Sequence, residues 1–179
     1  MNALAVSPDG AVVATTATIT ARTWEIATGI PDVTISGRHD SLNAVAFGPS
    51  GALLGIASTD KTATVWDVTA GVPVTTLAGH GSSVTAVAFA PDGALLATAS
   101  ADATARLWDA ASGAHLATLV PLPSGGYITL LPDTRYKLGG DPGDCLWWAA
   151  GPCRLGPAEV SDRFPEVRRV PPGAAILPA

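Results

Sequence analysis

The chain has 179 residues, 47% of them hydrophobic and 14% charged, and a net charge of −5. This length predicts about one domain with ample apolar content for a core, and the lack of a basic patch argues against nucleic-acid binding. No apolar run reaches the roughly 20 residues of a membrane helix, and the start shows no signal-peptide pattern. Two cysteines do not make a disulfide framework, so we expect a cytoplasmic protein.

A tryptophan followed by an acidic residue recurs at an interval of 42 residues, at Trp24, Trp66 and Trp108. Each pair is preceded by the same segments: an Ala-Val strand, a Pro-(Asp/Ser)-Gly turn, an alanine-rich apolar stretch and a short polar turn. Self-similarity at this period predicts a repeat architecture. Because each unit of such an architecture is a structural module, an interaction surface is favoured over a reaction centre.

The first repeat starts inside a strand at Asn2 and is eroded. Its segment from Pro8 to Trp24 is one residue shorter than the corresponding segment from Pro49 to Trp66, and the deficit falls in the turn before the third strand. The second repeat is complete, with predicted strands at residues 43–47, 53–58, 62–66 and 74–77.

The third repeat is the clearest. In its Pro91-Asp92-Gly93 turn, proline fixes φ and glycine accepts a positive φ. Four short strands joined by tight turns predict a small antiparallel sheet with two apolar faces, which must stack against copies of itself. The predicted strands are residues 84–89, 95–100, 104–108 and 115–119.

Beyond residue 120 the repeat fades into a proline-rich tail, which we interpret as a diverged final blade. Its predicted strands are residues 127–131, 135–138, 145–149 and 167–170. The predicted organisation is a degenerate repeat over 1–36, two repeats over 37–78 and 79–120, and the tail over 121–179.

The third repeat resembles the WD40 repeat of β-propellers. The resemblance lies in Gly79-His80 at its start, Asp102 six residues before Trp108, and the Trp108-Asp109 pair. It covers roughly residues 2–120. It implies an all-β fold, a partial WD40-type β-propeller of three recognisable four-stranded blades plus a diverged fourth.

The resemblance also implies a hydrogen-bonded network within each blade, formed in the third repeat by His80, Thr98 or Ser100, Asp102 and Trp108. A buried aspartate is tolerated when imidazole and hydroxyl groups satisfy it.

The other two repeats keep only part of this pattern. The second keeps Asp60 and Trp66 but has Arg38 where the histidine belongs, with His39 displaced by one residue. The first has neither the aspartate nor the Gly-His pair.

The run from Leu131 to Trp148 resembles a tail that follows WD arrays in large multidomain bacterial proteins, notably from actinobacteria. Propellers have four to eight blades, so three blades and a diverged fourth would leave apolar flanks exposed. We therefore expect either the C-terminal part of a larger signalling protein or a propeller closed by homo-oligomerisation.

Sequence patterns for catalysis, cofactors and metals are absent. A hydrolase built on His80, Asp102 and a serine would lack the Gly-x-Ser-x-Gly turn of such enzymes, and we disfavour it. The acids of Asp141–Asp144 lack EF-hand spacing, and Cys145 and Cys153 have no histidine nearby for zinc. We predict no catalytic, cofactor or metal site.

These observations favour a non-catalytic protein–protein interaction module that acts as a scaffold or sensor, with a partner that fold alone does not identify. We expect its partner surface at the loops between blades, the turns between second and third strands, and an aromatic pair in the tail. Neighbouring residues on a strand face opposite sides, so blade packing is the favoured interpretation of this pair and an interaction anchor is the alternative. The candidate residues are Arg38, His39, Asp40, Thr59, Lys61, Trp147 and Trp148.

Overall fold

The computed structural model describes residues 1–36, 40–123, 125–140, 148–150, 153–155, 167–171 and 173–176. The chain divides into two compact units, Met1–His115 and Leu116–Ala179. In these ranges the secondary structure is β throughout, so the all-β prediction is confirmed. The same ranges hold no helix of the length and hydropathy that a bilayer crossing requires.

The first unit contains three stacked antiparallel sheets, one for each repeat. The pairing follows chain order, and the strands of the second and third repeats lie within two residues of the predicted ones. The strands are β1 (Ala3–Val6), β2 (Val12–Thr16), β3 (Thr20–Glu25) and β4 (Pro31–Ser36); β5 (Leu42–Phe47), β6 (Leu53–Ser58), β7 (Thr62–Asp67) and β8 (Val72–Ala78); β9 (Val84–Phe89), β10 (Leu95–Ser100) and β11 (Ala105–Asp109). The next strand, β12 (His115–Pro121), spans the boundary of the two units.

The Pro-x-Gly turn closes the first hairpin of every repeat in the same way. Gly10, Gly51 and Gly93 have φ of 72°, 76° and 76°, a region that favours glycine. The amide of each donates a 2.9 Å hydrogen bond to the carbonyl three residues earlier. In every repeat the tryptophan of the third strand lies opposite an apolar residue of the second strand.

Each sheet has one face of large side chains and one face of small side chains, because residues alternate between the faces of a strand. We call the first the Trp face. It consists of Leu4, Val6, Val13, Thr15 and Trp24 in the first sheet, Val45, Phe47, Leu54, Ile56 and Trp66 in the second, and Val87, Phe89, Leu96, Thr98 and Trp108 in the third.

We call the opposite face the Ala face. Its small residues are Ala3, Ala5, Ala14 and Ala21 in the first sheet, Ala44, Ala46, Gly55, Ala57 and Ala63 in the second, and Ala86, Ala88, Ala97, Ala99 and Ala105 in the third. The Trp face of the second sheet packs on the Ala face of the first, and the Trp face of the third packs on the Ala face of the second. Small side chains therefore supply much of each Ala face, and the larger Ile35, Val65 and Leu77 on these faces pack in the same clusters as the facing Trp face.

Gly55 shows how close this approach is. A Cβ atom built at Gly55 would lie 2.9 Å from Cγ2 of Val87 and 3.2 Å from the ring of Phe89. Packed interiors have little free volume, so even one added methyl group would have to displace the third sheet. The glycine inside β6 thus serves sheet packing, not a turn.

The second unit continues antiparallel pairing from the C-terminal part of β12 into β13 (Tyr127–Leu130) and β14 (Tyr136–Gly139). Its small core includes the buried side chains of Ile128, Tyr136 and Leu138. Both strands lie close to the predicted segments 127–131 and 135–138.

The remaining tail strands differ from the predicted pattern. Of the predicted strand at 145–149, residues up to Trp147 lie outside the described residues, and β15 (Trp148–Ala150) pairs with β16 (Cys153–Leu155). In the predicted strand at 167–170, Arg169 forms an isolated parallel bridge with Tyr136. Pro171 follows directly and has no amide to donate, which ends the pairing.

Candidate functional site

A continuous chain of hydrogen bonds runs through the third repeat. Trp108 Nε1 donates to Thr98 Oγ1 at 2.8 Å, and Thr98 Oγ1 lies 2.8 Å from His80 Nε2. His80 Nδ1 lies 2.9 Å from Asp102 Oδ2. The directions are consistent when the hydroxyl donates to Nε2 and the imidazole carries its proton on Nδ1. Each polar hydrogen in this buried chain then has one acceptor.

Asp102 closes the chain by accepting four hydrogen bonds. Its Oδ2 atom accepts from His80 Nδ1 and from the Gly81 amide at 2.8 Å. Its Oδ1 atom accepts from the Thr104 amide at 2.9 Å and hydroxyl at 2.7 Å. Burial acts to raise the pKa of Asp102, but hydrogen bonds from Thr104, Gly81 and His80 outweigh it and hold the pKa well below its usual value.

Ser100, the alternative to Thr98 at the sequence level, has a different place. Its hydroxyl donates to the Ser82 carbonyl at 3.0 Å and accepts from the Asp102 amide at 3.1 Å. It therefore joins the turn after β10 to the segment before β9, whereas Thr98 contacts both the imidazole and the indole.

The second repeat has the aspartate turn but an apolar centre. Asp60 Oδ1 accepts from the Thr62 amide at 2.9 Å and hydroxyl at 2.6 Å, as Asp102 does from Thr104. Ile56, which is buried, occupies the position of Thr98, so the half-buried Trp66 lies beside methyl groups and not beside a hydroxyl.

The first repeat keeps only the link between indole and hydroxyl. Trp24 Nε1 donates to Thr15 Oγ1 at 2.9 Å, and the shortened turn after β2 has no aspartate. The three repeats thus hold the same tryptophan in three ways: a full network, an apolar contact and a single hydrogen bond.

Two asparagines that the sequence reasoning missed link neighbouring sheets. Asn2 Nδ2 donates to the Leu42 carbonyl at 2.8 Å, and Asn43 Nδ2 donates to the Val84 carbonyl at 2.7 Å. The signal was present, because both asparagines precede an Ala-(Leu/Val)-Ala strand at equivalent positions. In the third repeat Thr85 takes this place, and its hydroxyl donates to Ala99 of its own sheet at 3.3 Å.

Of the candidate partner residues, Asp40, Thr59 and Lys61 are exposed near one end of the second sheet. The Thr59 amide donates to the Ser41 carbonyl at 2.9 Å, which ties the loop before β5 to the turn after β6. Lys61 has a φ of 72° at the tip of that turn. Trp148 begins β15, while Arg38, His39 and Trp147 lie outside the described residues.

Replacing Thr98 with valine is expected to destabilise the protein by about 1–3 kcal/mol, because the Trp108 indole and the His80 ring nitrogen both lose a buried partner. Urea unfolding followed by circular dichroism measures the change. Thr15→Val is the matched control, because the half-buried Thr15 accepts a hydrogen bond from one indole only. We expect it to lower the free energy of unfolding by less than about 1 kcal/mol. Equal losses in both variants would contradict the network's role.

Within the described ranges, no three histidine, cysteine, aspartate or glutamate side chains come together as metal ligands. In the His80–Asp102 pair the His80 side chain is 1% exposed and the Asp102 side chain 16% exposed, so the imidazole lies away from solvent.

A model of the WD domain, G-beta repeat (WD40) matches residues 30–67 and 71–109. No curated protein matches the chain. The first matched segment holds β4 to β7 and the second holds β8 to β11, and each ends on or next to a Trp-Asp pair. Each matched segment therefore begins with the fourth strand of one sheet and ends with the third strand of the next, so that it joins two neighbouring sheets. The two matched segments are similar to WD40 repeats, and the antiparallel sheets that hold them are consistent with partial blades of a WD40-type β-propeller.

Proposed function

We propose that this chain is a non-catalytic module that binds a protein partner, as a scaffold or sensor. The observation that carries the proposal is that the imidazole of His80 and the carboxylate of Asp102 are both engaged in hydrogen bonds within the third repeat. WD40 repeats generally mediate protein–protein interactions, which agrees with this assignment.

The candidate binding surface is the end of the second sheet that carries Asp40, Thr59 and Lys61. Asp60 accepts two hydrogen bonds from Thr62 and so orders the turn between β6 and β7, at whose tip Lys61 lies. A surface ordered before binding loses little conformational entropy on association. The opposite charges of Asp40 and Lys61 suit a partner of mixed charge.

The setting of the module is also a proposal. The tail from Leu131 to Trp148 resembles segments that follow WD arrays in large bacterial proteins, which supports a place in a larger signalling protein. The two cysteines do not form a disulfide framework, which supports the cytoplasm.

Affinity capture with the full chain, followed by quantitative mass spectrometry, tests the binding surface. We expect specific proteins to be enriched over an empty matrix and lost with Asp40→Ala, Thr59→Ala and Lys61→Glu combined. The matched control is Asp32→Ala with Thr69→Ala. It removes an exposed acid in the fourth strand of the first sheet and an exposed threonine in the turn before the fourth strand of the second sheet. Absence of any enriched protein would contradict the proposal, and equal capture by all three forms would remove this surface from it.

A further inference from the structure

Within the second unit, a short extended segment lies beside β14, on the side opposite β13. The Tyr136 amide donates to the Arg168 carbonyl at 2.9 Å, and the Val170 amide donates to the Tyr136 carbonyl at 2.7 Å. Arg169 is thereby placed opposite Tyr136 in a parallel bridge. The outer edge of β14 is therefore a backbone surface that receives an extended segment.

Apolar contacts accompany this pairing. Val167 packs against the core cluster of the second unit, and the side chain of Val170 is buried. Arg168 and Arg169, which lie between the two valines, are exposed. The edge of β14 and the cluster beside it thus contact the backbone of the segment and two apolar residues three positions apart.

The attachment of this segment is slight compared with the strand it lies on. Among the described residues it forms one isolated bridge to β14, whereas β13 forms four residue pairs with the same strand. Pro171 and Pro172 follow, and neither has an amide that could extend the pairing. Lys137 Nζ adds a 2.9 Å hydrogen bond to the Ala174 carbonyl. A segment with so few backbone bonds opens at a lower free energy than the core strands.

We propose that the outer edge of β14 is a binding site for an extended segment of another protein, and that residues 167–170 occupy it as a built-in competitor. The segment it takes pairs in parallel with Tyr136 and carries apolar residues at two positions three apart, as Val167 and Val170 do. In such strand addition, backbone hydrogen bonds supply affinity and side-chain pockets supply specificity. This site does not depend on the binding surface proposed for the second sheet.

Fluorescence anisotropy with a labelled peptide of residues 165–176 tests the proposal on the full chain. Val170→Asp in the chain places a carboxylate at a buried position and so releases the chain's own segment. We expect the peptide to bind this variant roughly tenfold or more tightly than wild type, because occupation by the chain's own segment lowers the apparent affinity by the fraction of open sites.

Two altered peptides serve as controls. A peptide that carries the Val170→Asp change should not bind the Val170→Asp chain, because its carboxylate would also be buried. A peptide that carries Arg169→Ala is the matched control, and it should bind as the parent peptide does, because Arg169 is exposed. If circular dichroism shows that the Val170→Asp chain is unfolded, Val170→Ala takes its place, with an expected gain in affinity of roughly threefold.

Hydrogen exchange of the wild-type chain is a second measurement that needs no variant. We expect the Tyr136 amide, which donates to Arg168, to exchange by local opening and faster than the amides paired between β13 and β14. The proposal is overturned if the peptide binds neither folded chain or both equally, if the Val170→Asp peptide binds like its parent, or if the Tyr136 amide exchanges only with global unfolding. A wild-type dimer that Val170→Asp dissociates would also overturn it, in favour of exchange of this segment between two copies.

Discussion

Replacing Trp108 with alanine is expected to lower the free energy of unfolding by roughly 3–5 kcal/mol. Trp108 is 2% exposed, lies among the apolar side chains between the second and third sheets, and donates to Thr98. The substitution therefore leaves a large cavity and removes the donor to Thr98. Urea unfolding followed by far-ultraviolet circular dichroism gives the change without depending on tryptophan fluorescence.

Trp24→Ala is the control for this prediction, because Trp24 occupies the same position of the first sheet and makes the same bond to a threonine. Trp24 is only half-buried, so we expect a loss of about 1–2 kcal/mol. A Trp24→Ala loss as large as that of Trp108→Ala would show that burial between sheets is not the source of the difference.

Replacing Asp102 with alanine is expected to destabilise the protein by about 2–4 kcal/mol at pH 7, since four donors lose their acceptor. The folded-state pKa of Asp102 lies below its unfolded value. Its contribution is therefore fully present above the unfolded pKa of about 4 and is lost as the pH falls towards the folded pKa. The difference between wild type and variant should shrink steadily below about pH 4.

Chemical unfolding at a series of pH values from 7 downwards measures this difference. Asp92→Ala is the control at pH 7, because Asp92 sits in an exposed turn and accepts a single backbone hydrogen bond from Ala94. We expect it to cost less than about 1 kcal/mol. A gap between wild type and Asp102→Ala that stays constant down to pH 2 would contradict the assignment of an ionised, hydrogen-bonded Asp102.

The strands of the repeats could be predicted because the Pro-x-Gly turn and the tryptophan mark equivalent positions in all three repeats. Pro91-Asp92-Gly93 and Trp108 bound the third repeat so tightly that β9 and β10 begin and end at the predicted residues. In the tail no such pair of markers surrounds residues 167–170, and these residues bridge β14 in the parallel sense.

The site was only partly accessible from sequence. His80, Asp102 and Trp108 could be placed together from the resemblance, but the choice of Thr98 over Ser100 depends on where along β10 each residue lies, because residues two apart share one face of a strand. The apolar replacement at Ile56 shows only once β6 and β7 are in register.

Because a Trp face packs on an Ala face at each interface, all three sheets of the stack have the same orientation. A further sheet with the same two faces would pack its Trp face on an Ala face, or its Ala face on a Trp face. A sheet added in the reverse orientation would place large side chains against large side chains. Tandem duplication or loss of one 42-residue unit of the gene thus changes the length of the array without requiring a new interface. The alternation of tryptophan and alanine faces makes the repeat number adjustable over evolution.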